Sequence, residues 1–393
     1  MVKYLHSALF ILLAPLAIGQ TNSNSSTNMN NEALKNSSSN PQPENYNNVS
    51  SPSQDVRSVN YFKTEADNFE EKTRSAPQSA QAWLNYYKST LFSYFNGSSK
   101  QLTEAQKEEL DDILDEMRNK IPESFEYNIA AYINGRHNTA LLPKLARAEE
   151  LNGNNLDVIE QFAAYYAITG NVSKCVSYSQ KYKKQSKYES FFDDYAYNLL
   201  KSVEANSVLF THGALDTYPV FLAQSNDKSK AGVTIINIDY LNSKEYREKL
   251  NTKLGITVGF NGNIYSCAFD IAEKLNGKKE VYFSNSFSKN DLKKHVDNLQ
   301  INGLCFRYGA SGANTAQLEK WWKKEAKLSS LENGSYKDDY AKKMANNYQP
   351  ALVALYNYYK NSGEKAEADK IKSLAQKIAT KSGNASQIAA LMN

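Results

Sequence analysis

Cysteine, histidine and net charge are all in short supply in this 393-residue chain. The three cysteines, Cys175, Cys267 and Cys305, stand far apart. An odd number at wide spacing is no disulfide framework. A Cys267–Cys305 bridge stays open, against the plainer role of small buried apolar residues, which the run Leu304-Cys305-Phe306 suits. Beyond residue 19 the histidines are His137, His212 and His295, and none has a second His or Cys at ligand spacing. That argues against a metal site, and no cofactor is expected. A formal net charge of +4 gives no case for a nucleic-acid surface. No stretch past the N-terminus is apolar for long enough to cross a bilayer. Two glycine-containing segments also fall short of a catalytic or nucleotide motif. Gly259-Phe260-Asn261-Gly262-Asn263 lacks the third glycine and following acid of a dinucleotide fingerprint. Gly309-Ala310-Ser311-Gly312 has the wrong spacing for a nucleophile elbow. The residues declare no reaction and favour binding over catalysis.

What is present begins with export. Residues 1–19 read as a signal peptide, with Lys3 in the basic region, Ala8 to Ile18 apolar, and Ala17-Ile18-Gly19 before Gln20 as the cleavage site. The expected location is the periplasm or the outer membrane, with no membrane span in the mature chain. Residues 20–59 are dominated by Asn, Ser, Thr, Gln and Pro and are expected to be a disordered polar linker.

From 60 to 206 apolar and aromatic residues recur at helical spacing, as in Ala82, Trp83, Tyr86 and Tyr87. Thr103 before Glu104 starts a capped helix. A weak repeat runs beneath: Tyr132 before Gly135 and Ala140, Tyr166 before Gly170 and Cys175, Tyr359 before Gly363 and Ala368. An aromatic, a glycine at a tight turn and a small residue at the crossing of two helices suit tetratricopeptide-type hairpins. A plain helical bundle is the other reading. Tyrosine, at 27 residues, suits both packing and contact with peptide or glycan.

Residues 207–310 alternate. Strand-like runs at Val208–Thr211, Val233–Ile238, Val281–Ser284 and Leu304–Tyr308 are separated by helical stretches at 217–224, 244–253, 265–275 and 291–299. Asn276-Gly277 and Asn302-Gly303 read as helix stops. The expected class is α/β plus all-α: a tetratricopeptide-like repeat, then a small parallel, Rossmann-like α/β domain, then a C-terminal helical region over 311–393 with a hairpin at Gly363.

Three pieces carry a family resemblance. The first is Val208 to Pro219 with Gln224 and Val233 to Leu241. The second is Val281-Tyr282-Phe283 with Gly303-Leu304-Cys305-Phe306-Arg307. The third is the hairpin around Gly363. Together they resemble the soluble C-terminal region of bacterial protein O-mannosyltransferase-like multi-span membrane proteins, common in Bacteroidetes. Where that family has Asn-Gly-Asp-Asn-Asp, this chain has His212-Gly213-Ala214-Leu215-Asp216, so only Asp216 keeps its carboxylate. The resemblance implies the fold and an envelope location. It does not extend to transferase activity, because the membrane-embedded part is not in this sequence.

Two groups of site residues follow. His212, Asp216, Thr217, Tyr218, Asn237 and Asp239 fall near the carboxyl ends of the first two strands, where such sheets bind ligands. For Asp216 the plainer alternative is an N-cap, with Pro219 in the first helical turn. Tyr86, Asn128, Tyr132, Asn134, Tyr165, Trp321 and Trp322 are the candidates for partner contact, against a packing role for most of the tyrosines. The expected partners are proteins of the cell envelope, with a glycan as the second choice.

Overall fold

Side-chain caps open most of the early helices, and apolar spacing then commits one face of each to a core. Ser58, Ser79 and Ser124 each accept a backbone N–H at the start of Val59–Ser75, Ala80–Ser93 and Phe125–Asn134. Thr103 and Gln106 exchange hydrogen bonds at the start of Glu104–Lys120, a reciprocal capping box. Helices Leu142–Asn152, Leu156–Thr169, Val172–Gln185 and Phe191–Lys201 complete this half. The structure is a computed structural model that describes residues 48–51, 57–95 and 101–392. The signal peptide and most of the polar linker lie outside the described residues. Within that linker, however, Val49 is buried and its N–H donates to Asn85 Oδ1 at 3.0 Å. One buried apolar side chain and one hydrogen bond to a buried amide oxygen dock residues that composition alone reads as a tether.

Two of the three glycine registers share one geometry. Leu156–Thr169 ends at Gly170 (φ 82°) and Gln349–Ser362 ends at Gly363 (φ 79°). In each, the residue after the glycine donates to the carbonyl of the aromatic: Asn171 to Tyr166 and Glu364 to Tyr359, both at 2.9 Å. Cys175 and Ala368 are then buried where the second helix crosses. The Gly135 register departs from this. Gly135 has φ −67°, Arg136 and His137 take the left-handed conformation, and Ala140 sits exposed in a short 3-10 turn.

The sheet corrects the all-parallel expectation. Six strands run in the order β2 (Thr234–Asn237), β1 (Val208–Thr211), β3 (Val281–Ser284), β5 (Cys305–Tyr308), β4 (Leu299–Asn302) and β6 (Gly312–Ala313). β1 pairs in parallel with β2 and β3, whereas β5 is antiparallel to both β3 and β4. The sheet is therefore mixed. Its antiparallel part follows from the connection between β4 and β5. Gly303 and Leu304 alone join them, and two residues can turn a hairpin but cannot make a crossover. Asn302-Gly303 is thus a hairpin turn, not a helix stop. The helical reading over 291–299 shortens to Lys289–Lys293 and a 3-10 turn at Val296–Asn298.

The apolar core does not divide at 206 and 310. One cluster holds residues from Val49 to Phe162. The other runs from Ile159 through the sheet to Met392 and takes in the C-terminal helices. The boundary falls inside helix Leu156–Thr169, whose Val158 and Phe162 face one core while Ile159 and Ala163 face the other.

Candidate functional site

Strand order marks where a ligand crevice falls in sheets of this kind. β1 connects to β2 on one side through helix Ala214–Asn226, and the chain then returns past β1 to β3. The carboxyl ends of β1 and β3 therefore flank the switch point where doubly wound sheets leave room for ligands. Thr211, His212 and Gly213 end one strand, and Ser284, Asn285 and Ser286 end the other.

Asp216 sits between them, fully buried. It is not the N-cap, as one reading of the sequence had it. Gly213, at φ 80°, caps a helix that starts at Ala214, so Asp216 is its third residue and Pro219 lies inside. The carboxylate reaches back to accept the His212 N–H at 2.9 Å and the Ser286 hydroxyl at 2.6 Å on one oxygen, and the Ser284 hydroxyl at 3.0 Å on the other. Burial pushes the Asp216 carboxyl up to about 6, against the pull of the Ser286, His212 and Ser284 donors.

Thr217 continues the network. Its hydroxyl donates to the Gly213 carbonyl at 2.7 Å, meets Thr211 Oγ1 at 2.9 Å and accepts Asn237 Nδ2 at 3.0 Å. Asn237 Oδ1 accepts the Asp239 N–H at 2.8 Å. His212, Asp216, Thr217, Asn237 and Asp239 are thus brought to one edge. Tyr218 is turned to a structural contact instead. It is buried against Tyr182 and donates to the Glu160 carbonyl at 2.9 Å.

The crevice is covered from the C-terminal region. Asn347 Nδ2 donates to Tyr195 Oη at 3.1 Å, and Asn285 Nδ2 donates to the Asn347 carbonyl at 2.8 Å. A side chain at Gly213 would stand 3.5 Å from Tyr340 Oη. Ser284 and Ser286 were within reach of sequence reasoning, since they end a legible strand. Tyr195, Tyr340 and Asn347 come from distant helical segments and carry no local signal.

This arrangement ties up a buried carboxyl group and does not align a nucleophile. The His212 Nδ1 faces the Ser286 carbonyl at 3.4 Å, not a serine hydroxyl, and its ring meets Tyr265 edge-on. Both serine hydroxyls turn to the carboxylate. Among the described residues no group of three or more His, Cys, Asp or Glu could hold a metal ion.

The partner-contact candidates separate by burial. Asn128 is buried and donates within its helix to the Ser124 carbonyl at 2.8 Å. Tyr132 is fully buried, and Trp321 is buried with its indole N–H on the Asn198 carbonyl at 3.2 Å. All three side chains are buried, Asn128 against its own helix start and Trp321 against helix Phe191–Lys201, so none presents an open face to a partner. Asn134 is half-buried between Asp111 and Tyr87. Tyr86, Tyr165 and Trp322 keep partly exposed rings. All three cysteines are free and buried, so Cys267 and Cys305 form no bridge. No described helix is long and apolar enough to cross a membrane.

A family model described as TMEM260-associated domain 2 matches residues 192–256. The match runs from helix Phe191–Lys201 through β1 and β2 to helix Lys244–Leu254, so it includes the Asp216 turn. No curated protein matches the chain.

Proposed function

We propose that the protein is an exported interaction module of the cell envelope, an accessory subunit built of tetratricopeptide-like hairpins around a Rossmann-like half-sheet. The observation that carries this reading is the occupied crevice. Asp216, the buried carboxylate at the switch point, is held by three donors of its own chain and lies beneath Asn347 and Tyr340. The half-exposed rings on the helical half supply the contact surface. Tyr165 and Tyr166 stand edge to face, with Lys174 over the Tyr166 ring. Export rests on residues 1–19, and the Gram-negative envelope on the family resemblance. The test is a photo-crosslinker placed at Tyr86 or Tyr165 in cells, with exposed Glu108 as the control position. A discrete adduct in the envelope fraction from the first two positions alone is the expected result. No adduct from either position sinks the reading.

A second reading is favoured by the TMEM260-associated domain match together with the resemblance to O-mannosyltransferase-like proteins. Here the chain is a glycan-binding or glycan-processing accessory of a separate membrane glycosyltransferase, with His212 and Asp216 at the site. Glycan binding lost on His212→Ala with Asp216→Ala, at unchanged far-UV dichroism, supports it. Binding unchanged by that pair removes it.

A further inference from the structure

A cavity of about 150 Å³ opens where helix Phe191–Lys201 ends, beside the β4–β5 hairpin. It shares no lining residue with the Asp216 crevice. One wall is unusual. Helix Thr315–Lys320 widens into a π-helical turn at Trp321–Glu325, closed by the Ala326 N–H on the Trp321 carbonyl at 2.9 Å. Such turns are rare and concentrate at functional sites. The floor is tight. At Gly303 (φ 63°) an added Cβ would lie 2.1 Å from Ser202 Oγ and 3.0 Å from Trp321 Cε2.

The chemistry of the lining narrows the ligand. Lys201 pairs with Asp227 at 2.9 Å and Lys320 with Glu325 at 3.2 Å. The Lys230 ammonium donates to the Val203 carbonyl, and Glu204 stands exposed at the rim. The charges thus largely cancel, while ammonium N–H groups, carboxylate lone pairs and the Gln317 amide still face the space. An apolar guest would strip water from these groups and replace none of its hydrogen bonds, at about 1–3 kcal/mol for each group left unpaired. An anion would meet Glu204 and Glu325 as well as the lysines. Hydroxyl groups both donate and accept, so they satisfy both kinds of wall without adding charge. A volume of this size admits one six-membered ring.

We propose that this cavity binds a neutral, hydroxyl-rich small molecule of one-ring size, a single sugar residue. The site lies apart from the aromatic helical surface, so the failure of either proposal leaves the other standing.

The test is saturation-transfer NMR on the full chain with a panel of neutral monosaccharides, repeated on Gln317→Ala and Lys320→Ala. Both residues are exposed, so neither change removes core. Expected is saturable binding in the millimolar range, insensitive to salt and weakened at least about tenfold by either change. The His212→Ala, Asp216→Ala pair should leave it intact. No saturable signal from any neutral sugar overturns the proposal. So does binding that phosphate shares and salt abolishes. Binding that survives both cavity variants, or that falls only with His212 and Asp216, places the ligand elsewhere and overturns it too.

Discussion

Lys88 and Asp157 meet at 2.7 Å inside the helical half, with side chains only 4% and 11% exposed. They tie helix Ala80–Ser93 to the start of helix Leu156–Thr169. Removing one partner leaves a buried charge alone, which costs about 3–5 kcal/mol. Lys88→Met should therefore lower the urea midpoint sharply. Adding Asp157→Leu should restore most of the loss, because no lone charge then remains. A double variant as unstable as the single one would refute this account of the pair.

Asp216 makes the fold sensitive to pH in an unusual direction. Its folded-state carboxyl lies near 6 against an ordinary 3.8, so the native state holds the proton more tightly than the unfolded chain. The contribution is full below about pH 4 and is lost as pH rises through about 6, a swing of roughly 3 kcal/mol. Asp216→Asn removes this term. The difference in unfolding free energy between wild type and variant should thus slope downward with rising pH across that window. A flat or rising difference would show that the carboxyl is not proton-loving in the native state.

Glycines at left-handed positions should not be equivalent. At Gly170 an added Cβ meets nothing within 4 Å, so Gly170→Ala carries only the backbone term, about 1 kcal/mol. Gly303→Ala carries the same term plus collisions with Ser202 and Trp321, and its effect should be at least about twice as large. Thermal melts of the two variants, run side by side, decide it.

The thiols should be silent until the protein unfolds. Burial pushes Cys267 up to about 11 and Cys175 up to about 12, and holds Cys305 well above the ordinary thiol range. With no thiolate and no access, a thiol reagent at about pH 8 should titrate none of them in the native protein and all three in denaturant. Fast labelling of any one in the native state would contradict the packing.

How much of this could be read from the sequence depended on whether the cause was local. Val208–Thr211 and Val281–Ser284 were legible because a short β-branched or aromatic run bounded by turn residues has few other uses. Leu299–Asn302 was not, because Leu292, Val296 and Leu299 share helical spacing and conceal the strand that follows. The Asp216 turn was placed at the right edge, but its role was misjudged. A proline three residues on suggested Asp216 as the cap of a helix starting at Thr217, whereas the helix begins at Ala214 and the carboxylate reaches back to His212. The cover over Asp216 came from residues more than 120 positions away, and no local pattern announces that. Nor could hydrophobicity say which tyrosines point inward: Tyr132 and Tyr165 look alike in sequence, yet only the first is sealed.

Helix Leu156–Thr169 belongs to two interiors at once, which bears on how the molecule comes apart. Severing the chain at residue 206 would strip partners from the apolar faces of Ile159 and Ala163 on one fragment and from the sheet on the other. The halves are joined like rooms that share a party wall. Heat or denaturant should bring both down in a single transition.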